Sequence, residues 1–189
     1  MTRQTSQKGV FMRQAGGREF GLARNSSVRE DILAGMADFA LWGSDQYIEL
    51  GAEEKNLFVF DPVCKLPLRY ALLMQGAADD LPKRPVVATS YPTAARAFLS
   101  SKLNRPATEF DFLIREGRVE YYPQTEFADA AVDLVDSGDT ARANGLNIME
   151  LDGRVCLGGL WLRCEGMTIS RSEVKQLMLS VNMLPLPSL

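Results

Sequence analysis

The run Ala130-Ala131-Val132-Asp133-Leu134-Val135-Asp136-Ser137-Gly138-Asp139-Thr140 constrains this chain more than any other stretch. Ala131 to Val135 reads as a buried apolar strand with Asp133 as its only polar interruption. Acidic, hydroxyl and glycine residues then stop the strand and open a helix. Ser137-Gly138-Asp139-Thr140 places small residues and hydroxyls where backbone N–H groups gather at a helix start. Free amides and the positive end of the helix dipole both favour a phosphate there. Asp133 and Asp136 would repel a bare phosphate; they suit ribose hydroxyls or a bridging Mg²⁺. A sugar phosphate therefore fits this loop better than a phosphate alone. The same pattern also arises as a plain turn whose Asp or Thr only caps the next helix. The loop by itself leaves both readings open.

The bulk properties narrow the classes. At 189 residues the chain can bury a core as one domain or two small lobes. A net charge of −3 leaves no electrostatic footprint for nucleic acid. No apolar run approaches a membrane span, and Met1 to Gly9 is polar, without an apolar signal core. A cytoplasmic protein is the expectation. Cys64, Cys156 and Cys164 lie in apolar, strand-like surroundings and read as structural thiols. The chain has no histidine, which excludes His-dependent triads, His general bases and imidazole metal sites. A transferase that works by positioning and charge stabilisation stays open.

Along the chain, residues 1–17 read as a loose polar arm and Arg18 to Leu22 as a short strand. Ser26 or Ser27 caps a helix through Gly35. Ala37 to Trp42 is a strand that meets a short helix, Asp45 to Leu50. Asn56 to Asp61 and Leu66 to Met74 are strands joined by a turn around Pro62 to Pro67. Gly76 to Pro85 is a linker, Pro85 to Thr89 a strand, and Pro92 to Lys102 a helix with Pro in its first turn. Phe110 to Arg115 and Val119 to Tyr122 read as strands, and Glu126 to Ala130 as a helical turn. Asn144-Gly145 ends the helix that begins near Thr140. Leu146 to Leu151 is a strand, with Asp152-Gly153 turning a hairpin into Arg154 to Cys164. Ser170 to Val181 is a last amphipathic helix striped by Val174, Leu177, Met178 and Val181. Trp42 and Trp161 read as core. Alternating strands and helices place the chain in the α/β class.

Four segments in order resemble the catalytic part of ATP phosphoribosyltransferases. Asp38 to Asp45 is similar to that family's "ADLGIVGKD", and Val87 to Pro92 to its "VATKYP". Gly117-Arg118-Val119-Glu120 is similar to "GSVE". Ala128 to Thr140, with Ala143 to Leu146, resembles "ADAIVDLVETGxTLxxNGL" and is the most specific match. The resemblance implies a two-lobed, periplasmic-binding-protein-like fold with a ligand cleft between the lobes. Residues 1–70 and 156–189 would form the first lobe, and residues 71–155 the second.

It also implies transfer of phosphoribosyl from phosphoribosyl pyrophosphate to N1 of ATP, with Mg²⁺, the first step of histidine biosynthesis. Asp133 and Glu120 would offset positive charge on the ribose. Asp129, Asp133, Asp136, Ser137, Gly138, Asp139, Thr140, Arg24, Ser90 and Tyr91 would hold the substrates. Asp133 and Asp136 would be the carboxylates for Mg²⁺. The likeness is to the short form of the family, which implies an oligomer with a subunit resembling histidyl-tRNA synthetase.

The chain departs from the family pattern at its start. "KGRL" has only the echo Lys8-Gly9, the Lys of "KYP" is Ser90, and "LVRPxDIP" corresponds to Leu22 to Val28. A second class is therefore a relative that binds a nucleotide or sugar phosphate without turning it over. The cations left for an anionic ligand are Arg24, Lys65, Arg69, Arg96, Arg115, Arg118 and Arg142.

Overall fold

The computed structural model describes residues 12–15, 18–21, 25–37, 39–151, 157–163, 172, 173 and 176. In chain order the first elements are β1 (Met12–Ala15), β2 (Arg18–Gly21), α1 (Asn25–Leu33), β3 (Phe39–Gly43), α2 (Ser44–Glu49), α3 (Ala52–Lys55), β4 (Phe58–Lys65) and β5 (Arg69–Met74). They continue with β6 (Val86–Thr89), α4 (Pro92–Leu103), β7 (Asp111–Ile114), β8 (Ala130–Val135), α5 (Asp139–Ala143), β9 (Asn147–Glu150) and β10 (Leu157–Arg163). The class is α/β, as the alternation of patterns requires. Two units emerge. One is built from the described residues within 1–43, 51–65 and 158–189, the other from 44–50 and 66–157.

The second unit carries a five-stranded sheet in the order β7-β6-β8-β5-β9. β6 runs parallel to both β7 and β8, while β5 is antiparallel to β8 and β9. β8 is central and covered on both faces, which is why Ala130, Ala131 and Val132 are all buried. Successive residues of β5 feed opposite faces. Tyr70, Leu72 and Met74 pack with Val87, Val132 and the Ala94, Ala95 and Leu99 face of α4. Ala71 and Leu73 pack on the other side with Val119, Ala131, Val135, Ala141 and Leu146.

Pro92 stands at the first position of α4, where a missing N–H costs nothing, and Asn104 closes the helix in the left-handed region at φ 50°. α2 packs against α4. Its Ile48 joins the first layer. Its Glu49 carboxylate accepts the N–H groups of Thr93 and Ala94, each at 2.9 Å.

The first unit has a three-stranded sheet in the order β3-β10-β4, with β10 antiparallel to β3. Trp161 is fully buried at its centre. The rings of Trp42, Phe58 and Phe60 lie 4.8, 5.4 and 5.9 Å from it, in tilted or edge-on contact. Both tryptophans are core residues. β4 is an edge strand, so it can run through Pro62, which has no N–H to give a ladder.

Several local expectations change. Val119 to Tyr122 is not a strand but the start of a 3₁₀ helix, Val119–Gln124. Gly117 and Arg118 enter it in the left-handed region, and Pro123 inside it has no donor for a ladder. Glu126 to Ala130 is no helical turn. Thr125 Oγ1 accepts the Phe127 N–H at 3.2 Å, a hydroxyl turn that leads directly into β8.

Asn56 to Asp61 extends to Lys65, and the strand after it lies in the other sheet. β9 and β10 also lie in different sheets, so they do not form a hairpin ladder; Asp152 and Gly153 lie outside the described residues. Within the expected arm, Met12–Ala15 pairs antiparallel with Arg18–Gly21. Of the last helix, Ser172, Glu173 and Gln176 are helical, and its apolar stripe lies outside the described residues.

Candidate functional site

Because β7, β6 and β8 are parallel, the segments that follow them leave the sheet at one edge. Thr89 is level with Ile114 on one side and Val132 on the other. Ser90 and Arg115 leave the sheet there, level with Asp133, which is still paired with Ala71 inside β8. In open α/β sheets this carboxyl edge is where ligands bind.

Hydroxyl groups hold the edge. Thr89 is fully buried, and its Oγ1 donates to the Val132 carbonyl at 2.8 Å while accepting the Tyr91 N–H at 2.9 Å. Ser90 Oγ donates to the Arg115 carbonyl at 2.7 Å and accepts the Gly117 N–H at 3.3 Å. The half-buried Tyr91 ring stands edge-on to Tyr70 at 5.5 Å. Ser90 and Tyr91 thus lie on this edge.

Asp133 lies near the end of β8. Its Oδ1 accepts the Leu134 N–H at 2.8 Å. Its carboxyl is pushed up to about 6, chiefly by burial, with the charge of Glu120 adding to the rise and the Leu134 bond opposing it. Glu120 sits on the 3₁₀ helix that packs against β8. The structure therefore brings together the two carboxylates that the sequence singled out.

The turn after β8 is built around Gly138, at φ +80°. The positive φ is what calls for glycine; a Cβ there would also press on the terminal methyl of Ile148, which would have to shift. Ser137 Oγ donates to Asp139 Oδ2 at 2.7 Å and accepts the Asp139 N–H at 3.3 Å. Arg142 donates to Asp139 Oδ1 at 3.0 Å and also to the Ser137 carbonyl. The Ser137 hydroxyl, and then Arg142, hold the Asp139 carboxyl below the usual range. Asp136 and Thr140 are exposed in the same turn.

Asp129 stands apart from these residues. At the opposite end of β8, its Oδ2 accepts the Val86 N–H at 2.7 Å, and its own N–H donates to the Val86 carbonyl at 2.9 Å. It fastens the starts of two strands. Arg24 lies outside the described residues. Of the other cations, Arg69 pairs with Glu150 at 3.2 Å and Arg96 lies over the Phe112 ring at 4.5 Å.

Among the described residues no three acidic or cysteine side chains gather as a metal site. Asp133 and Asp136 match Mg²⁺ in ligand type but supply only two carboxylates. Sequence reasoning missed Thr89 and Glu49, whose partners are 43 to 45 residues away. The only local signal was a Thr-Ser pair ahead of Tyr-Pro.

Solved structures share this α/β fold. The substrate-binding protein of an amino acid ABC transporter shares the fold with a TM-score of 0.51 at 14% identity, over 92% of this chain and 84% of that one. The ATP phosphoribosyl transferase (HisG:HisZ) complex from Thermotoga maritima gives 0.68 at 19% identity, over 96% of this chain and 85% of that one. The fold is periplasmic-binding-protein-like.

The family model HisG, ATP phosphoribosyltransferase, matches residues 24–178, and the chain belongs to that family. The ATP phosphoribosyltransferase of Clostridium botulinum (strain ATCC 19397 / Type A) is 31% identical over 132 residues, 70% of this chain and 60% of its own length. That of Halorhodospira halophila is 33% identical over 131 residues, 68% of this chain and 58% of its own. The chain thus spans about three-fifths of the length of these curated relatives.

Proposed function

We propose that this protein transfers the phosphoribosyl group of phosphoribosyl pyrophosphate to N1 of ATP, the first step of histidine biosynthesis. The observation that carries the reading is the β8–α5 turn, set on the carboxyl edge with Asp133 and Glu120 beside it. In this reading Ser137, Gly138, Asp139 and Thr140 surround the 5-phosphate, and Asp133 and Asp136 face the ribose and diphosphate. Ser90 and Tyr91 line the same edge. Membership of the family supports the assignment.

The reaction breaks the C1–O bond, whose electron pair leaves with the diphosphate, as the lone pair of N1 forms the new C–N bond. Positive charge builds on the ribose ring in between. Two carboxylates in partly dry surroundings stabilise that charge far more than they would in water. An Asp133 that titrates near 6 is ionised at neutral pH and available for this role. The chemistry needs alignment and charge rather than a His base. Asp133 and Asp136 would hold Mg²⁺, which would supply neutralisation of the diphosphate charge.

The protein works in the cytoplasm in this reading; among the described residues no helix is long and apolar enough to cross a membrane. A subunit resembling histidyl-tRNA synthetase is the proposed partner, since the Thermotoga maritima structure is a HisG:HisZ complex. The test is a pyrophosphate-release assay with phosphoribosyl pyrophosphate, ATP and Mg²⁺, run with and without such a subunit. Release dependent on both substrates supports the transferase, and release in neither condition rejects it.

A further inference from the structure

α4 starts from β6 on the same edge as Ser90 and Asp133. A helix start in that position is where an anion ordinarily settles in an α/β sheet. Here every first-turn donor is already in use. Pro92 has no N–H. Thr93 and Ala94 both donate to the Glu49 carboxylate at 2.9 Å, and Ala95 donates to the Tyr91 carbonyl at 2.8 Å. The Tyr91 N–H just before the helix is held by Thr89 Oγ1.

Glu49 thus occupies the place of a phosphate, with two charge-assisted bonds on the positive end of the helix dipole. It is not a swinging arm. Asp45 and Leu50 are buried and Ile48 packs into the core, so α2 presents the carboxylate from a fixed position. A phosphate entering here would have to expel a carboxylate into its own negative field.

We propose that Glu49 is a specificity-determining residue: its carboxylate fills the anion position at the start of α4, so that a phosphate reaching this edge is directed to the β8–α5 turn. The destination rests on the proposed function, whereas the filling of α4 stands without it.

The test is a titration of the full chain with inorganic phosphate, followed by backbone amide NMR, on the wild type, Glu49→Ala and Glu49→Gln. In the wild type, Thr93 and Ala94 stay still while amides between Ser137 and Ala141 move. In Glu49→Ala, Thr93 and Ala94 titrate as well. Glu49→Gln keeps one neutral acceptor, and one of the two amides responds.

Movement of Thr93 and Ala94 in the wild type overturns the proposal. So does their silence in a folded Glu49→Ala. Should that variant not fold, Glu49→Gln decides, and silence of both amides there overturns the proposal. A wild type silent at residues 137–141 overturns the redirection to that turn, while the filling of α4 is judged on Thr93 and Ala94 alone; the phosphoribosyl reading has its own test in pyrophosphate release.

Discussion

Glu120 lies close enough to Asp133 for its charge to raise the Asp133 carboxyl, on top of the larger rise that burial imposes. Two carboxylates held together at the edge of a sheet destabilise the folded chain once both ionise.

The cost should be visible as a pH dependence. Below about pH 4 both folded and unfolded chains keep the Asp133 proton. As pH rises, the unfolded chain releases it first, near the ordinary value of 3.8, and the folded chain only near 6. This group's stabilising contribution is therefore present below about pH 4 and lost as pH climbs to 6, a change of roughly 2–3 kcal/mol. Asp133→Asn keeps an acceptor for the Leu134 N–H and removes the charge. Melting temperatures from pH 4 to 8 should show the variant gaining on the wild type as pH rises; parallel profiles would contradict the account.

Removing the neighbour's charge tests the pair itself. Glu120→Gln should move the Asp133 titration, read from its carboxyl carbon by NMR, downward. Burial remains, so the value stays above that of a free Asp. An unmoved titration would mean that the two carboxylates do not sense each other.

Thr89 ties β6 to β8 and holds the bend that leads to Ser90 and Tyr91. Thr89→Val keeps the shape, loses the donor to the Val132 carbonyl and strands the Tyr91 N–H. Chemical denaturation should show a loss of about 2–3 kcal/mol, with donor affinity falling as the edge loosens.

Gly138→Ala forces a side chain into a backbone at φ +80° and a Cβ against Ile148. The backbone penalty alone is about 1–2 kcal/mol. A second substitution, Ile148→Ala, relieves the clash but not the backbone strain. In a double-mutant cycle read by denaturation, the coupling between the two substitutions should offset only part of the Gly138→Ala loss.

Much of this was legible beforehand because it is local. The run from Ala130 to Thr140 shows its strand, its turn and its helix start in the residue types themselves, and the structure has β8, Gly138 and α5 where those types require them. Val119 to Tyr122 misled because its Val-Glu-Tyr-Tyr composition suits a strand, while the decisive features are two left-handed residues before it and Pro123 within it. Asp129 looked like part of the ligand loop by proximity in sequence. Six residues of extended strand instead carry it to the far end of β8, against Val86. Glu49 and Thr89 were invisible because their partners are set by topology. A carboxylate on a short helix carries no mark of the distant helix that it caps.

Calorimetric titration of phosphoribosyl pyrophosphate with Mg²⁺ into the wild type and Asp133→Ala decides whether the β8–α5 edge is the donor site. Saturable binding to the wild type is expected, with a loss of about tenfold or more in affinity for the variant, equivalent to about 1.4 kcal/mol. Absence of binding to the wild type, or equal affinity in the two proteins, would contradict it.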